Sequence, residues 1–539
     1  MPTHDVSALV AEGALDRPDM LAVVESGGRS VTWAALEEEV ARVATGLGAA
    51  GLVAGQRVMI AMGNRIEFVT AYLGVLRAQV VAVPVNPRST ASEVARMIAD
   101  SGSRIVVADA ETVGTVREAV AQVVAALAGE GGDPHAALDA DLVSRASEPR
   151  VYVVGAEPQD GEQAYDALRA AAPRPVPALP DPEKLACLLY TSGTSGRPRA
   201  AMLTHRALVA NIEQAGRVEP PMIHGDDVVL GVLPLFHVYG LNAVLGGVLR
   251  HRAKLVLVDH FDPQSTLDLI DDEAVSVVPV APPVFAYWLP EEQLSERLGP
   301  VRLMLSGSAP LSAEVIERFS DATGIPIHQG YGLTEASPIV TSTLCSQELQ
   351  TGSVGAALPG IEIKLLDDLG HEPEGDDPGE IWIRGANLFS GYWPDGEDGP
   401  DADGWWGTGD VGFLDESGDL FLVDRLKELV IVSGFNVYPV EVEEVIREVT
   451  GVAEAAVIGV DDPATGEAVV AYVVPSAAGD APGDGLAGAV RDHCAQRLAR
   501  FKQPSRIEVV DELPLTVTGK VQKGRLRGIE RRRALGILE

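Results

Sequence analysis

Six consecutive residues, Thr191, Ser192, Gly193, Thr194, Ser195 and Gly196, follow an apolar run and combine four hydroxyls with two glycines. Glycine lets successive backbone N–H groups turn toward one point, and hydroxyls add donors, so the segment suits phosphate oxygens. Arg197 and Arg199 add positive charge behind it. The segment is not a Walker loop, because no Gly-Lys-Ser/Thr closes it. An ordinary surface loop has the same composition, so the cluster alone leaves both readings open. Near the other end of the chain, Lys520 follows Thr518-Gly519 in a second glycine-containing loop. Only seven of the 42 basic residues are lysines. A lysine in a motif is therefore informative, since a compact, rotatable ammonium is what separates it from arginine. The plain alternative is a solvated surface lysine.

These residues need a scaffold, and hydrophobic periodicity predicts one. Leu36, Val40, Val43 and Leu47 recur at helical spacing. Short apolar runs at 57–62, 80–85 and 104–109 read as buried strands, and 66–77 and 92–100 read as the helices between them. Such alternation predicts a parallel sheet with helices on its faces. From about 125 to 180 the text turns rich in Ala, Gly, Pro and Asp, and a variable excursion with some helix is expected. Apolar runs return at 185–190, the strand that feeds the hydroxyl-rich loop, and at 228–235, 254–258, 276–280 and 302–306. After Gly352 the pattern shifts to short strands at 361–366, 380–384 and 418–423. From Glu428 a strand, a helix at 440–449, strands at 455–460 and 469–474, a helix at 486–498 and a last strand form an α+β module. The expected organisation is an N-terminal domain over 1–424, a C-terminal domain over 428–539 and a join at 425–427.

Composition narrows the function classes. The 539 residues exceed one ordinary core, and 46% hydrophobic residues are ample for globular packing. A formal charge of −36 makes nucleic acid and anionic membrane poor partners. Residues 497–533 run against that trend with 11 basic and four acidic side chains, which suits a phosphate-rich ligand or simply an exposed basic face. No apolar run reaches the roughly 18 residues of a membrane span. The N-terminus lacks a signal-peptide layout, and ALGILE at the end is neither a prenylation nor a peroxisomal signal. Three distant cysteines make no CxxC and the ten histidines no HExxH, so a disulfide framework or structural zinc is not expected and a reducing cytoplasm is.

The segment YTSGTSGRPRAAMLTH, residues 190–205, resembles the signature loop of the adenylate-forming superfamily of acyl- and aryl-CoA synthetases, luciferases and peptide-synthetase adenylation domains. The resemblance continues in family order. LPLFHVYGL lies at 233–241, SGSAPLS at 306–312, HQGYGLTEAS at 328–337 and GEIWIRGANLFSGYW at 379–393. TGD follows at 408–410, VDRLKELVIVSGFNVYPVEVEE at 423–444 and LPLTVTGKVQKGRLR at 513–527. One motif is compatible with chance; all of them in order are specific. The chain departs from the pattern at Pro198-Arg199-Ala200, where the family usually carries Pro-Lys-Gly. Arginine keeps the charge near the phosphates, so drift in an arginine-preferring chain is expected; altered nucleotide handling is the alternative.

The resemblance implies the adenylate-forming fold, a large multi-subdomain α/β domain with a small mobile α+β lid, and assigns roles by position. Glu335 would hold Mg²⁺, and Thr334 would donate to the α-phosphate, or cap a helix. Asp410 would accept from the ribose hydroxyls, or serve a turn. Arg425 would be a second nucleotide contact, or a hinge salt bridge. Gln329, Gly330, Tyr331 and Gly332 would lie along the adenine with the Gly307-Ser308-Ala309 backbone, the alternatives being a packed aromatic and a plain turn. His237 would border the acyl pocket and thiol tunnel, or merely fill the core, and Gly240, Gly246 and Gly247 would leave room for substrate or for helix packing. Gly434, Phe435 and Asn436 would line the coenzyme A tunnel, or form a β-turn. Lys520 would meet the α-phosphate and the incoming carboxylate, and Lys427 would be the hinge.

The implied reaction uses ATP and Mg²⁺ to activate a small carboxylic acid as an acyl-adenylate, releasing pyrophosphate. Transfer to coenzyme A then releases AMP. The short stretch from Pro338 to Gly352 fits free coenzyme A, since fatty acyl-AMP ligases carry an insertion near there. Three rivals stay open: transfer to a separate carrier protein, a luciferase-like oxidation, and a nucleotide-binding pseudoenzyme motivated by Arg199. Fatty, aryl and dicarboxylic acids all remain candidates, and oligomeric state is not legible.

Overall fold

Runs of buried aliphatic residues build the scaffold. In the computed structural model, the described residues are 5–129, 138, 140–176, 181–191, 198–309, 311, 313–367, 369–373, 377–425, 428, 430–432, 435–462, 465–476, 483–498, 500–516 and 519–534. They form two compact units. The first is Met1–Thr351, Gly355–Ile361 and Arg384–Trp405; the second is Gly352–Val354, Glu362–Ile383 and Trp406–Glu539. The expected join at 425–427 falls inside the second unit, because the ladder between Trp405–Leu414 and Leu420–Arg425 groups with the C-terminal module.

The first unit holds two seven-stranded sheets. One runs in the order Gln163–Ala164, Arg150–Val154, Ile105–Asp109, Arg57–Ala61, Val81–Pro84, Leu185–Thr191 and Arg199–Thr204. Its pairs are parallel until the last, an antiparallel hairpin. Val58, Met59 and Ile60 are wholly buried, as expected for strands covered by helices on both faces. Helix Trp33–Ala49 buries Leu36, Val40, Val43 and Leu47 and starts where the Thr32 hydroxyl accepts from Ala35 N. Helix Ala91–Ser101 starts with a reciprocal Thr90–Glu93 capping box. The expected excursion is part of this sheet: it supplies Arg150–Val154 and the edge strand Gln163–Ala164.

The second sheet runs Ile327–Gln329, Leu303–Ser306, Val277–Val280, Val228–Gly231, Lys254–Leu257, Leu21–Glu25 and Ser30–Thr32. It too is parallel except for its terminal hairpin. Phe285, Trp288 and Phe319 pack with its buried valines.

The second unit carries a four-stranded sheet of Ile361–Leu366, Gly379–Gly385, Trp405–Leu414 and Leu420–Arg425. It also carries a five-stranded sheet in which Gly466–Pro475 is flanked by Val452–Asp462, Val430–Val432 and Arg506–Val509. Helices Pro439–Arg447 and Gly483–Arg497 lie against one cluster of that sheet, through Val442, Ile446, Val490 and Cys494. Helix Lys523–Ala534 packs on the other through Leu526.

Candidate active site

The hydroxyl-rich segment lies in the chain between two antiparallel strands. Strand Leu185–Thr191 enters and Arg199–Thr204 leaves, with Thr191 opposite Arg199. The Thr191 hydroxyl donates to Arg199 O at 3.4 Å, closing the base. Ser192, Gly193, Thr194, Ser195 and Gly196 lie outside the described residues.

Arg199 then links this hairpin to the turn that carries Glu335. Its guanidinium lies over the Tyr392 ring, 3.9 Å from the centroid, and its Nη1 is 2.7 Å from Asp398 Oδ2. Tyr392 Oη donates to Glu335 Oε1 at 2.6 Å. Segment 389–393 is laid along strand Arg199–Thr204 by main-chain bonds: Met202 N to Gly391 O, Ser390 N to Met202 O and Trp393 N to Ala200 O. Burial, and then the Glu335 carboxylate, hold the Tyr392 phenol far above its ordinary range, so it is a neutral donor. Tyr392 and Asp398 were not singled out from the sequence, although Tyr392 lies within a quoted motif.

Glu335 itself is 8% exposed. It sits in the single turn Thr334–Ala336, with half-buried Thr334 at its start. Three buried asparagines clamp this turn. Asn242 Nδ2 donates to Ser337 O at 2.7 Å, and Asn387 Nδ2 to Ala336 O at 2.7 Å. Asn211 exchanges two bonds with the backbone of Ile339, at 2.8 and 3.0 Å. Ser337 holds φ +67°, a left-handed conformation that costs a non-glycine residue about 1–2 kcal/mol. Sequence reasoning missed these amides; the only signal was an isolated Asn inside apolar text, as in Leu241-Asn242-Ala243.

The remaining motifs of this unit meet at the ends of adjacent parallel strands, where open α/β sheets bind ligands. Ser306 is paired with Gln329, and Gly307-Ser308-Ala309 and Gly330-Tyr331-Gly332 follow them. A Cβ on Gly307 would lie 2.6 Å from the Tyr239 ring, so only glycine lets Tyr239 pack there. A Cβ on Gly330 or Gly332 would strike the carbonyl oxygens of Thr341 or Pro338, at 2.6 and 2.4 Å. Tyr331 is buried, with its N–H on the Thr341 hydroxyl at 3.2 Å. His237 is half-buried, and its Nδ1 accepts from Tyr239 N at 3.3 Å. Gly240 stands against Pro234 O, Gly246 against the Ile212 side chain and Gly247 against Ile223, so all three serve close packing. Among the described residues the Ser306, Ser308 and Ser337 hydroxyls are out of water with no hydrogen-bond partner, polar capacity that suits a polar ligand.

In the second unit, Asp410 is 8% exposed and faces Arg425 across an antiparallel ladder. Its N–H meets the Thr408 hydroxyl at 3.1 Å, and that hydroxyl donates to Ile381 O at 2.9 Å. Phe435 and Asn436 pair with Val432 and Ile431, so their loop is a hairpin. Gly434, the expected hinge residue Lys427 and the side chains of Arg425, Phe435 and Asn436 lie outside the described residues. Lys520 is exposed on a tight hairpin: Thr516 N donates to Lys520 O at 2.7 Å and Lys520 N to the Thr516 hydroxyl at 3.0 Å.

Residues 10–393 match the family model described as AMP-binding enzyme, and 441–520 match AMP-binding enzyme C-terminal domain. The chain is 32% identical to 4-coumarate–CoA ligase 5 of Oryza sativa subsp. japonica, over 98% of this chain and 94% of that one. It is 34% identical to a long-chain-fatty-acid–CoA ligase of Yersinia pestis, over 89% and 86%. ATP-bound MatB from Rhodopseudomonas palustris superposes with a TM-score of 0.86 at 32% identity, covering 98% of this chain and 99% of that structure. The chain belongs to the AMP-binding enzyme family, with the adenylate-forming fold of a large N-terminal and a small C-terminal domain.

Proposed function

We propose that this protein is an acid–thiol ligase that converts a carboxylic acid to its acyl-adenylate with ATP and then to a coenzyme A thioester. The observation that carries the reading is the connected string Arg199–Tyr392–Glu335 beside the hydroxyl-rich hairpin. Relatives named as CoA ligases along nearly the whole chain support it.

The chemical difficulty is electrostatic, because a carboxylate must approach the α-phosphorus of a polyanion. Arg199, set at the hairpin base, draws off phosphate charge. Glu335 offers a hard, buried carboxylate oxygen of the kind Mg²⁺ prefers, and the clamped turn fixes where that oxygen lies. Mg²⁺ held there would supply Lewis-acid neutralisation of phosphate charge. Thr334 donates to the α-phosphate, and Asp410 accepts from the ribose diol. The acid oxygen forms its bond to the α-phosphorus as pyrophosphate departs with the bonding pair. Lys520 lowers the repulsion between the two anions in that step. Rotation at 425–427, about Lys427, withdraws Lys520 and brings the Gly434-Phe435-Asn436 loop to the thiol. The sulfur then attacks the acyl carbonyl, its proton is lost, and AMP leaves.

We further assign the reaction to the cytoplasm, a setting consistent with cysteines that form no disulfide among the described residues. A panel of fatty, aryl and dicarboxylic acids in ATP–pyrophosphate exchange, followed by mass spectrometry of coenzyme A products, tests the proposal. ATP binding without exchange on any acid would overturn it in favour of a pseudoenzyme. Exchange without a coenzyme A product would favour a carrier-protein acceptor.

A further inference from the structure

The hairpin that presents Lys520 is shaped locally and anchored elsewhere. Besides the Thr516–Lys520 bonds, Gln522 N donates to Pro514 O at 2.7 Å and Gln522 Nε2 to Leu515 O at 3.0 Å. These bonds tie residues 514–516 to 520 and 522 but do not set their direction. Direction comes from the next residue in the chain. Lys523 opens helix Lys523–Ala534 and is 8% exposed. Its Nζ lies 2.8 Å from Glu443 Oε1 and 3.2 Å from Glu428 Oε2.

Glu443 is 5% exposed and belongs to helix Pro439–Arg447. Its Oε1 also accepts from Val457 N of strand Val452–Asp462 at 2.8 Å, and its Oε2 from Arg447 at 3.3 Å. Glu428 directly follows Lys427 in the chain. One buried ammonium thus ties together the base of the Lys520 hairpin, a core helix and the residue beside the expected hinge. Buried ion pairs add little net stability, but removing one partner strands a charge, so such clusters favour a single arrangement.

We propose that Lys523 is a positioning residue for Lys520. The Glu428–Lys523–Glu443 triad makes the hairpin and the hinge-side chain one body, so that rotation at the hinge delivers Lys520 to one place. This rests on the reading of Lys520 as a first-half-reaction residue.

Lys523→Met keeps the stem and removes the charge. It is expected to lower kcat of ATP–pyrophosphate exchange by about tenfold to a hundredfold, the scale of misplacing a reacting group. KM for ATP and acid should stay within roughly twofold, and thioester formation from synthetic acyl-adenylate within roughly threefold. Amide hydrogen exchange over residues 513–522 of the ligand-free protein should quicken. Lys523→Arg, which restores the charge, should recover exchange activity to within about threefold. Wild-type exchange in Lys523→Met, equal loss of both half-reactions, or no recovery in Lys523→Arg would each overturn the proposal. If Lys523→Met does not fold, Glu428→Gln, which weakens one of two partners, must show the same split at smaller size; an unchanged Glu428→Gln overturns the proposal. Absence of exchange on every acid in the wild type defeats the functional reading instead, and the hydrogen-exchange comparison still decides the anchoring.

Discussion

Tyr392→Phe isolates the hydroxyl that orients Glu335. The substitution keeps the ring under Arg199, 3.9 Å from the guanidinium, and removes only the Oη that donates to Glu335 Oε1 at 2.6 Å. Glu335 is 8% exposed, so water replaces that donor poorly. A hydrogen bond to a charged group contributes about 1.5–3 kcal/mol. At 1.36 kcal/mol per decade this is roughly a tenfold to hundredfold fall in kcat/KM for adenylation. Coupling between the two residues gives the sharper test. If the hydroxyl acts through Glu335, its effect should vanish once Glu335 is neutral. Glu335→Gln alone should cost about 10²–10³ in exchange rate, the scale of losing one transition-state electrostatic partner. Tyr392→Phe added to Glu335→Gln should then cost almost nothing more. ATP–pyrophosphate exchange across a Mg²⁺ titration reads this directly, with Tyr392→Phe shifting the Mg²⁺ midpoint upward. Additive losses in the double variant, or a Tyr392→Phe enzyme with unchanged rate and Mg²⁺ midpoint, would refute the reasoning.

Lys520→Ala should lose acyl-adenylate formation by about a hundredfold or more yet convert synthetic acyl-adenylate to thioester at near wild-type rate. Lys427→Pro should reverse that pattern, since a fixed φ restricts hinge rotation, and equal loss of both half-reactions in both variants would exclude two-state lid movement. Arg199→Lys keeps a cation for Asp398 but loses the planar stack on Tyr392, and exchange should remain within roughly tenfold, or about 1.4 kcal/mol. Asp227 is buried, which works to raise its pKa, but Arg302, the His224 N–H and Ser276 outweigh burial and hold it below its ordinary 3.8. Its contribution is therefore complete above pH 3.8 and fades as pH falls below it. Asp227→Asn should destabilise by about 1.5–2 kcal/mol in denaturant melts at pH 7, and the gap from wild type should narrow toward pH 3.

The strands of the first unit were legible because parallel strands are apolar on both faces. Runs expected at 57–62, 80–85 and 104–109 are the strands Arg57–Ala61, Val81–Pro84 and Ile105–Asp109. Strand Trp405–Leu414 was not legible, because its text, with Gly407, Gly409 and Gly412, reads as turns. The structure explains two of those glycines by crowding. A Cβ on Gly407 would lie 2.9 Å from both the Glu380 and Trp382 side chains, and one on Gly412 would lie 2.6 Å from Phe421 O. Glycine here marks close neighbours within a sheet, a cause invisible until the sheet is known.

The site divides in the same way. Glu335, Arg199 and Asp410 stand in motifs with a recognisable order, so position alone named them. The residues that hold Glu335 in place do not stand in those motifs as a pattern. Tyr392 lies 57 positions from Glu335, and the clamping amides lie 95 and 128 positions from Ser337 and Ile339. Their chemistry reflects the interactions they must avoid. A turn meant to hold a carboxylate beside a nucleotide needs its carbonyls satisfied, yet any charged clamp would compete for phosphate or for metal. A primary amide donates to a carbonyl while remaining neutral, and Asn211, Asn242 and Asn387 do so. The left-handed Ser337 needs such fixing, because nothing in its own side chain favours φ +67°. Among the described residues Asn242 Oδ1 is buried without a partner, a local cost that this arrangement bears. That local cost is consistent with a turn selected for where it puts Glu335 rather than for its contribution to stability.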